Sequence, residues 1–182
     1  MMISMIRYPV TTLGPGKRIG IWTAGCHKNC KGCMSGYAKE FNKDLDRPVS
    51  SILEEIKSYI DKEQVDGITI SGGEPFDQED LEELLIGIDS LGVCDVLVYT
   101  GYYLKELEKH FSLLKYIGVL IDGPYIEELN DNGALRGSSN QTVYIVDSRL
   151  KESYNAFLKR PRECVTVIEG NKKITVGLKP KI

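Results

Sequence analysis

Three cysteines fall within eight consecutive positions, Cys26, Cys30 and Cys33, in the run Ala24-Gly25-Cys26-His27-Lys28-Asn29-Cys30-Lys31-Gly32-Cys33. Thiolates are soft ligands. The spacing Cys-x3-Cys-x2-Cys, with Gly25 and Gly32 free to wrap closely, brings three of them around one centre. Three is one short of the four that a closed iron–sulfur cubane or a structural zinc normally takes. Either a fourth protein ligand completes the site or one metal position is open to a small molecule. A zinc reading would need His27 or a distant cysteine as fourth ligand. His27 directly follows Cys26, an awkward interval, and no second Cys-x2-Cys pair follows at zinc-ribbon distance. A thiol redox site is the third alternative. The two remaining cysteines, Cys94 in Leu91–Tyr99 and Cys164 in Arg162–Ile168, sit in apolar runs and read as ordinary buried thiols.

Something must position this cluster. The chain has 182 residues, 42% hydrophobic and 27% charged, which is the composition and length of one folded domain with a self-supporting core. With 23 Lys and Arg against 26 Asp and Glu, the net charge of −3 argues against broad nonspecific nucleic-acid binding. No run of about 18 apolar residues occurs and the opening Met1–Val10 is too short for a signal peptide, so a reducing cytoplasm and no membrane partner are expected. There, clustered cysteines are more often metal ligands or redox groups than disulfides.

Hydrophobic periodicity predicts strands at Arg18–Trp22, Gly67–Ile70, Val96–Tyr99 and Val119–Ile121, with further candidates at Val143–Val146, Val165–Ile168 and Lys173–Val176. Amphipathic helices are predicted from Ser50, with Ile52, Ile56, Tyr59 and Ile60 on one stripe, over Asp80–Leu91, and over Leu104–Phe111. This alternation implies a parallel sheet with crossover helices. A closed eight-fold barrel needs about 250 residues, so an open or partial barrel is expected. Four unusual segments each follow one of the first four strands: the cysteines, Ser71–Pro75, Thr100-Gly101-Tyr102 and Asp122–Tyr125. In a parallel sheet these strand ends share one rim and build one site. Turn chemistry alone is the competing explanation for the last two.

Cys-x3-Cys-x2-Cys after the first strand, with Ser71-Gly72-Gly73-Glu74-Pro75 after the next, resembles the radical S-adenosylmethionine superfamily. The segments Gly14–Arg18, Thr23–Cys33, Ser71–Phe76, Val98–Tyr102, Leu120–Tyr125 and Leu135–Gln141, in this order, resemble more closely the activating enzymes of anaerobic ribonucleoside-triphosphate reductase. The resemblance implies a single domain over residues 1–182, with a motif-bearing core at 13–141 and an extension at 142–182. Its fold would be α/β, a partial, open (β/α) barrel of the radical SAM type with a C-terminal β-hairpin turning at Gly170-Asn171. It implies a [4Fe-4S] cluster on Cys26, Cys30 and Cys33, with S-adenosylmethionine on its open iron. Gly72, Gly73, Glu74 and Pro75 match the segment that receives the amino group of S-adenosylmethionine, Gly32 and Met34 the adenine side, and Tyr99 and Thr100, with Gly101, the ribose or methionine side. Asp122, Arg136, Ser138 and Asn140 are weaker candidates that could equally be structural; Asp122 and Arg136 could close a loop as a salt bridge.

No catalytic acid–base group is implied, because the cofactors supply a radical. The implied function is reductive cleavage of S-adenosylmethionine to place a glycyl radical on a large partner, anaerobic ribonucleotide reductase, with electrons from a flavodoxin- or ferredoxin-type donor. The alternatives are a radical S-adenosylmethionine enzyme tailoring a peptide or small molecule, and a non-enzymatic metal-binding interaction module.

Overall fold

The structure, a computed structural model, describes residues 1–170 and 172–181. Six strands form one open sheet in sequence order: β1 (Ile3–Val10), β2 (Arg18–Thr23), β3 (Gly67–Gly72), β4 (Val96–Tyr99), β5 (Val119–Asp122) and β6 (Thr142–Ile145). β2 to β5 run parallel, and β1 and β6 flank them antiparallel. Helices α1 (Val49–Lys62) and α2 (Leu81–Ser90) are crossovers, α3 (Lys151–Leu158) follows β6, and β7 (Cys164–Glu169) pairs with β8 (Lys172–Gly177) in a separate hairpin. Gly170 has φ 58°, while the other expected turn residue, Asn171, lies outside the described residues.

Strand alternation divides the core into two layers. Ile19, Ile21, Ile68, Ile70, Val96 and Val98 face one way and pack against Val49, Ile52 and Ile56 of α1 and Leu81, Leu84, Leu85 and Ile88 of α2. Leu97, Val119 and Ile121 face the other way, against Leu135 and against Tyr154 and Phe157 of α3. Beside them, Trp22 and Val10 pack against Val176 of β8. Both crossover helices therefore cover one face, and the last forty residues supply cover for the other.

Several expectations are corrected. β1 was not anticipated from an N-terminal run of apolar residues interrupted by Ser4 and Arg7. The first helix starts at Val49 with Pro48 as its N-cap, so Ser50 and Ser51 lie inside its first turn and make no side-chain cap. In place of a helix over Leu104–Phe111 there are 3-10 turns, Leu104–Glu106 and Glu108–Tyr116. Three residues per turn align Leu104, Leu107, His110, Leu113 and Tyr116, burying Leu107 and Leu113 and leaving Phe111 outside. Cys94 is exposed in the loop before β4, and Cys164 is half-buried in the two-stranded sheet; neither is the buried thiol expected. A flanking apolar pattern sets which residues of a strand are covered, not whether a second layer covers its first residue or the loop before it.

Arg18, fully buried at the start of β2, donates to Thr69 Oγ1 (2.7 Å) and the Ile68 carbonyl (2.7 Å), and pairs with Asp95 (2.7 Å). Tyr154 Oη donates to the same carboxylate at 2.7 Å. This network lies at the strand ends remote from the four motif loops, so Arg18 of the Gly14–Arg18 motif holds the frame. Arg18→Leu strands the Asp95 carboxylate and is expected to cost roughly 3–5 kcal/mol in urea unfolding; a loss below about 1 kcal/mol would contradict this role.

Candidate functional site

The segments after β2, β3, β4 and β5 meet on one cleft. It is lined by Cys26, Cys30, Cys33 and Met34 from the first, Ser71, Gly72, Gly73 and Glu74 from the second, Tyr99, Thr100 and Gly101 from the third, and Gly123 and Tyr125 from the fourth. The parallel pairing of β2 to β5 puts these C-terminal strand ends side by side. Lys28, Gly137, Gln141 and Leu178 line it as well. Tyr125, Gly137 and Gln141 belong to motifs visible in the sequence, although none was singled out; Leu178 carries no sequence signal.

The cysteine and glycine loops are laced together by main chain. Gly73 N–H donates to the Thr23 carbonyl at 2.9 Å, Glu74 N–H to the Gly25 carbonyl at 2.8 Å, and Gly25 N–H to the Ala38 carbonyl at 2.9 Å. A Cβ on Gly73 would collide with the Gly25 carbonyl oxygen, and one on Gly72, at φ 104°, would stand 2.5 Å from Thr23 N. The chain's own backbone thus requires both glycines.

Glu74 joins three loops. Its Oε1 accepts from Thr100 Oγ1 (2.8 Å) and Phe76 N–H (3.1 Å), and its Oε2 from Gly101 N–H (2.6 Å). It therefore caps the 3-10 turn Pro75–Asp77 and also borders the cleft. Burial pushes its carboxyl from 4.5 up to about 7, against the three donors that favour the anion. A carboxyl whose folded pKa is raised binds its proton more tightly when folded. Its contribution to stability is full below pH 4.5 and is lost as the pH rises through about 7. In the metal-free protein, unfolding free energy is expected to fall by roughly 3 kcal/mol between pH 4.5 and 8 from this group, and Glu74→Gln to flatten that slope. A slope identical in the two proteins would remove Glu74 as its source.

The three thiols line the cleft without converging: among the described residues, no three His, Cys, Asp or Glu side chains stand close enough together to hold a metal ion. All five cysteines are free. Burial, with Glu74 and Asp77 nearby, pushes the Cys26 thiol up to about 11, and burial also raises Cys33. His27 turns to Asp77 (Nδ1–Oδ2 3.0 Å) and packs at a tilt against Phe41 with ring centroids 4.6 Å apart, outside the cleft lining. Asp77 also accepts from Tyr102 Oη at 2.8 Å, and Lys28 Nζ sits 4.0 Å from the Tyr102 ring centroid.

Other candidates separate. Pro75 is buried at the start of its 3-10 turn, and Gly32, at φ 69°, packs beside Glu127; neither lines the cleft. Tyr99 Oη donates to the Leu135 carbonyl at 2.7 Å, and Thr100 Oγ1 to Glu74, so both hydroxyl protons are used inside the chain. Asp122 accepts from Leu104 N–H (2.8 Å) and Thr142 N–H (3.1 Å). The salt bridge of Arg136 is to Asp131 (2.5 Å), not Asp122. Ser138 Oγ accepts from Ile126 N–H at 3.1 Å, and Asn140 Nδ2 donates to the Pro124 carbonyl at 2.8 Å, leaving its buried Oδ1 unpartnered. All four shape the loops after β5, a job that turn-rich sequence cannot distinguish from ligand contact.

Residues 12–144 match the family model described as a 4Fe-4S single cluster domain. The anaerobic ribonucleoside-triphosphate reductase-activating protein of Haemophilus influenzae is 35% identical, with 75% of this chain and 94% of the relative covered. The proteins of that name from Escherichia coli K12 and phage T4 are 31% and 28% identical, covering 75% and 72% of this chain and 94% and 85% of the relatives. Three cysteines and a glycine–glutamate loop on one cleft, in a chain spanning nearly all of such relatives, belong together: the chain is a member of the anaerobic ribonucleoside-triphosphate reductase-activating protein family, built on a 4Fe-4S single cluster domain.

Proposed function

We propose that this chain is a radical S-adenosylmethionine activating enzyme that places a glycyl radical on an anaerobic ribonucleotide reductase, drawing electrons from a flavodoxin- or ferredoxin-type donor. The observation that carries the proposal is the meeting of Cys26, Cys30 and Cys33 with Gly72, Gly73 and Glu74 on one cleft. The donor set fits the cofactors by its chemistry: three thiols bordering one cleft are the soft ligands a cluster with one open iron takes, once their loop draws them together, and a buried carboxyl beside them suits a cationic ligand. Cys26, Cys30 and Cys33 would hold the [4Fe-4S] cluster, and Gly72, Gly73, Glu74, Met34 and Thr100 would border S-adenosylmethionine. In this reading the open sheet is a partial barrel of the radical S-adenosylmethionine type, extended by the β7–β8 hairpin.

When bound, the cluster and S-adenosylmethionine supply one-electron cleavage of a carbon–sulfur bond and removal of a hydrogen atom from the partner's glycine. The chain supplies position. Glu74 holds the Phe76 and Gly101 amides and the Thr100 hydroxyl in one place, so the loops after β3 and β4 keep a fixed separation. Its desolvated charge is best relieved by a cation in the cleft. That cleft is open to solvent and its cavity volume is about 120 Å³, below the roughly 300–1,000 Å³ of self-contained ligand pockets. A second protein docked over the open side would complete the enclosure and exclude water.

Reconstituted anaerobically and given a reductant, the chain should convert S-adenosylmethionine to methionine and 5′-deoxyadenosine. With an anaerobic reductase present, electron paramagnetic resonance should show a glycyl doublet. Full iron loading without cleavage would overturn the enzyme reading; cleavage with no radical on any such reductase would reassign the substrate to a peptide or small molecule.

A further inference from the structure

Leu178 lines the cleft although it lies past β8, outside every motif. It is held from both sides. Before it, Val176 packs on Val10, Leu13 and Trp22, and Gly177, at φ 107°, leaves no room for a Cβ, which would stand 2.6 Å from the Glu163 carbonyl. After it, the Lys179 carbonyl accepts from Arg162 Nη1 (3.2 Å), and Lys181 exchanges two hydrogen bonds with the Asn132 side chain (2.7 and 3.2 Å). Arg162 reaches the other side of the site too. It donates to the Gly133 carbonyl (2.9 Å) and the Gly137 carbonyl (3.3 Å), and Gly137, packed under the Tyr125 ring, lines the same cleft. A single buried guanidinium thus ties together two segments that border the site, using the planar fork that lysine lacks.

We propose that Leu178, positioned by Arg162, sets the width of the slot through which a glycine-bearing backbone segment of the partner protein reaches the reacting centre. The inference rests on the activating reading above. A side chain fixed between two anchors admits main chain without a Cβ and keeps a bulkier residue, or a misplaced glycine, at a distance where hydrogen transfer fails. Leu178 is a specificity-determining residue in this arrangement, and Arg162 a positioning residue.

The test compares Leu178→Ala, Leu178→Trp, Leu178→Met and Arg162→Lys with the wild-type chain, with Ile168→Ser on the exposed side of β7 as control. Each holoenzyme is scored for 5′-deoxyadenosine formed per glycyl spin, and for S-adenosylmethionine cleavage without the reductase. Leu178→Ala and Arg162→Lys should raise the product-to-spin ratio about tenfold, the scale of a sub-ångström misplacement. Leu178→Trp should lower spin yield about tenfold, and by more than it lowers cleavage without the partner. Leu178→Met, the conservative change, should recover most of the wild-type ratio, and Ile168→Ser should match wild type. Hydrogen exchange over Gly177–Lys181 should slow when the reductase is added to the wild-type holoenzyme and not to Leu178→Trp. Wild-type ratios in both Leu178→Ala and Leu178→Trp would overturn the inference while leaving the activating reading intact. A fully loaded wild-type enzyme that never cleaves S-adenosylmethionine would overturn the activating reading, and the inference with it.

Discussion

Alanine at Cys30 should abolish iron loading and leave the fold intact. In the described structure this thiol closes no disulfide and lies in a loop outside the hydrophobic clusters. Its loss should therefore cost little unfolding free energy, under about 1 kcal/mol. Its loss as a ligand is another matter. A three-thiolate site that keeps one iron open has no spare protein donor, and the other cysteines cannot substitute: neither Cys94, before β4, nor Cys164, at the start of β7, lines the cleft. Anaerobic reconstitution of Cys30→Ala should leave iron near background and S-adenosylmethionine cleavage undetectable. Cys26→Ala and Cys33→Ala should do the same, whereas Cys94→Ala and Cys164→Ala load fully. Full iron in Cys30→Ala, or equal loss in Cys94→Ala, would refute the ligand assignment.

Gly73→Ala has the second largest expected effect, and by a different route. The new methyl group meets the Gly25 carbonyl oxygen and lies 2.9 Å from the Ala38 carbonyl oxygen. Both obstacles are backbone, so no rotamer change relieves the collision. The cost falls at the upper end of overpacking, about 3 kcal/mol. What gives way is the lacing itself, the Gly73 to Thr23 and Glu74 to Gly25 hydrogen bonds. The cysteine loop then drifts from the loop that carries Glu74, and a shift of about 1 Å suffices to reduce turnover roughly 100-fold. Iron content and the dissociation constant for S-adenosylmethionine should worsen together. Gly36→Ala is the control, since nothing lies within 4 Å of its added Cβ; it should behave as wild type. If Gly73→Ala binds both groups normally, the glycines serve some purpose other than packing the two loops.

These two residues show how unevenly the site could be read from the chain. Cys26, Cys30 and Cys33 are chemically conspicuous, and their spacing alone limits what they can bind. Gly72 and Gly73 are conspicuous as well, yet their reason is not: the sequence suggests close approach to a ligand, while the geometry adds close approach to Thr23 and Gly25. Glu74 matches a segment that receives a cationic amino group, and the structure adds a second job, since it caps Phe76 N–H while bordering the cleft. Tyr99 and Thr100, which the resemblance assigns to the ribose or methionine side, line the cleft, while their hydroxyls turn to Leu135 and Glu74, because a hydroxyl's direction depends on whichever acceptor the fold brings near.

The positions of β2 to β8 were legible because alternation and β-branched runs are local properties, whereas β1, interrupted by Ser4 and Arg7, was not. The 3-10 winding of Glu108–Tyr116 was not legible either, since residues three apart share a face in both windings, in line at 3.0 residues per turn and about 60° apart at 3.6, and burial of Leu107 and Leu113 chooses between them. Local sequence was enough to read a cluster of three soft ligands, four central strands in a parallel sheet and hence one rim on which their loops meet. Only the tertiary structure decided which residues complete that rim. Arg162 and Leu178 are far in sequence from Cys26, and their contacts arise because the second face of the sheet needs cover. Burial of apolar surface is nondirectional, so no local pattern states that the last segments would supply it or that Leu178 would come to border the cleft.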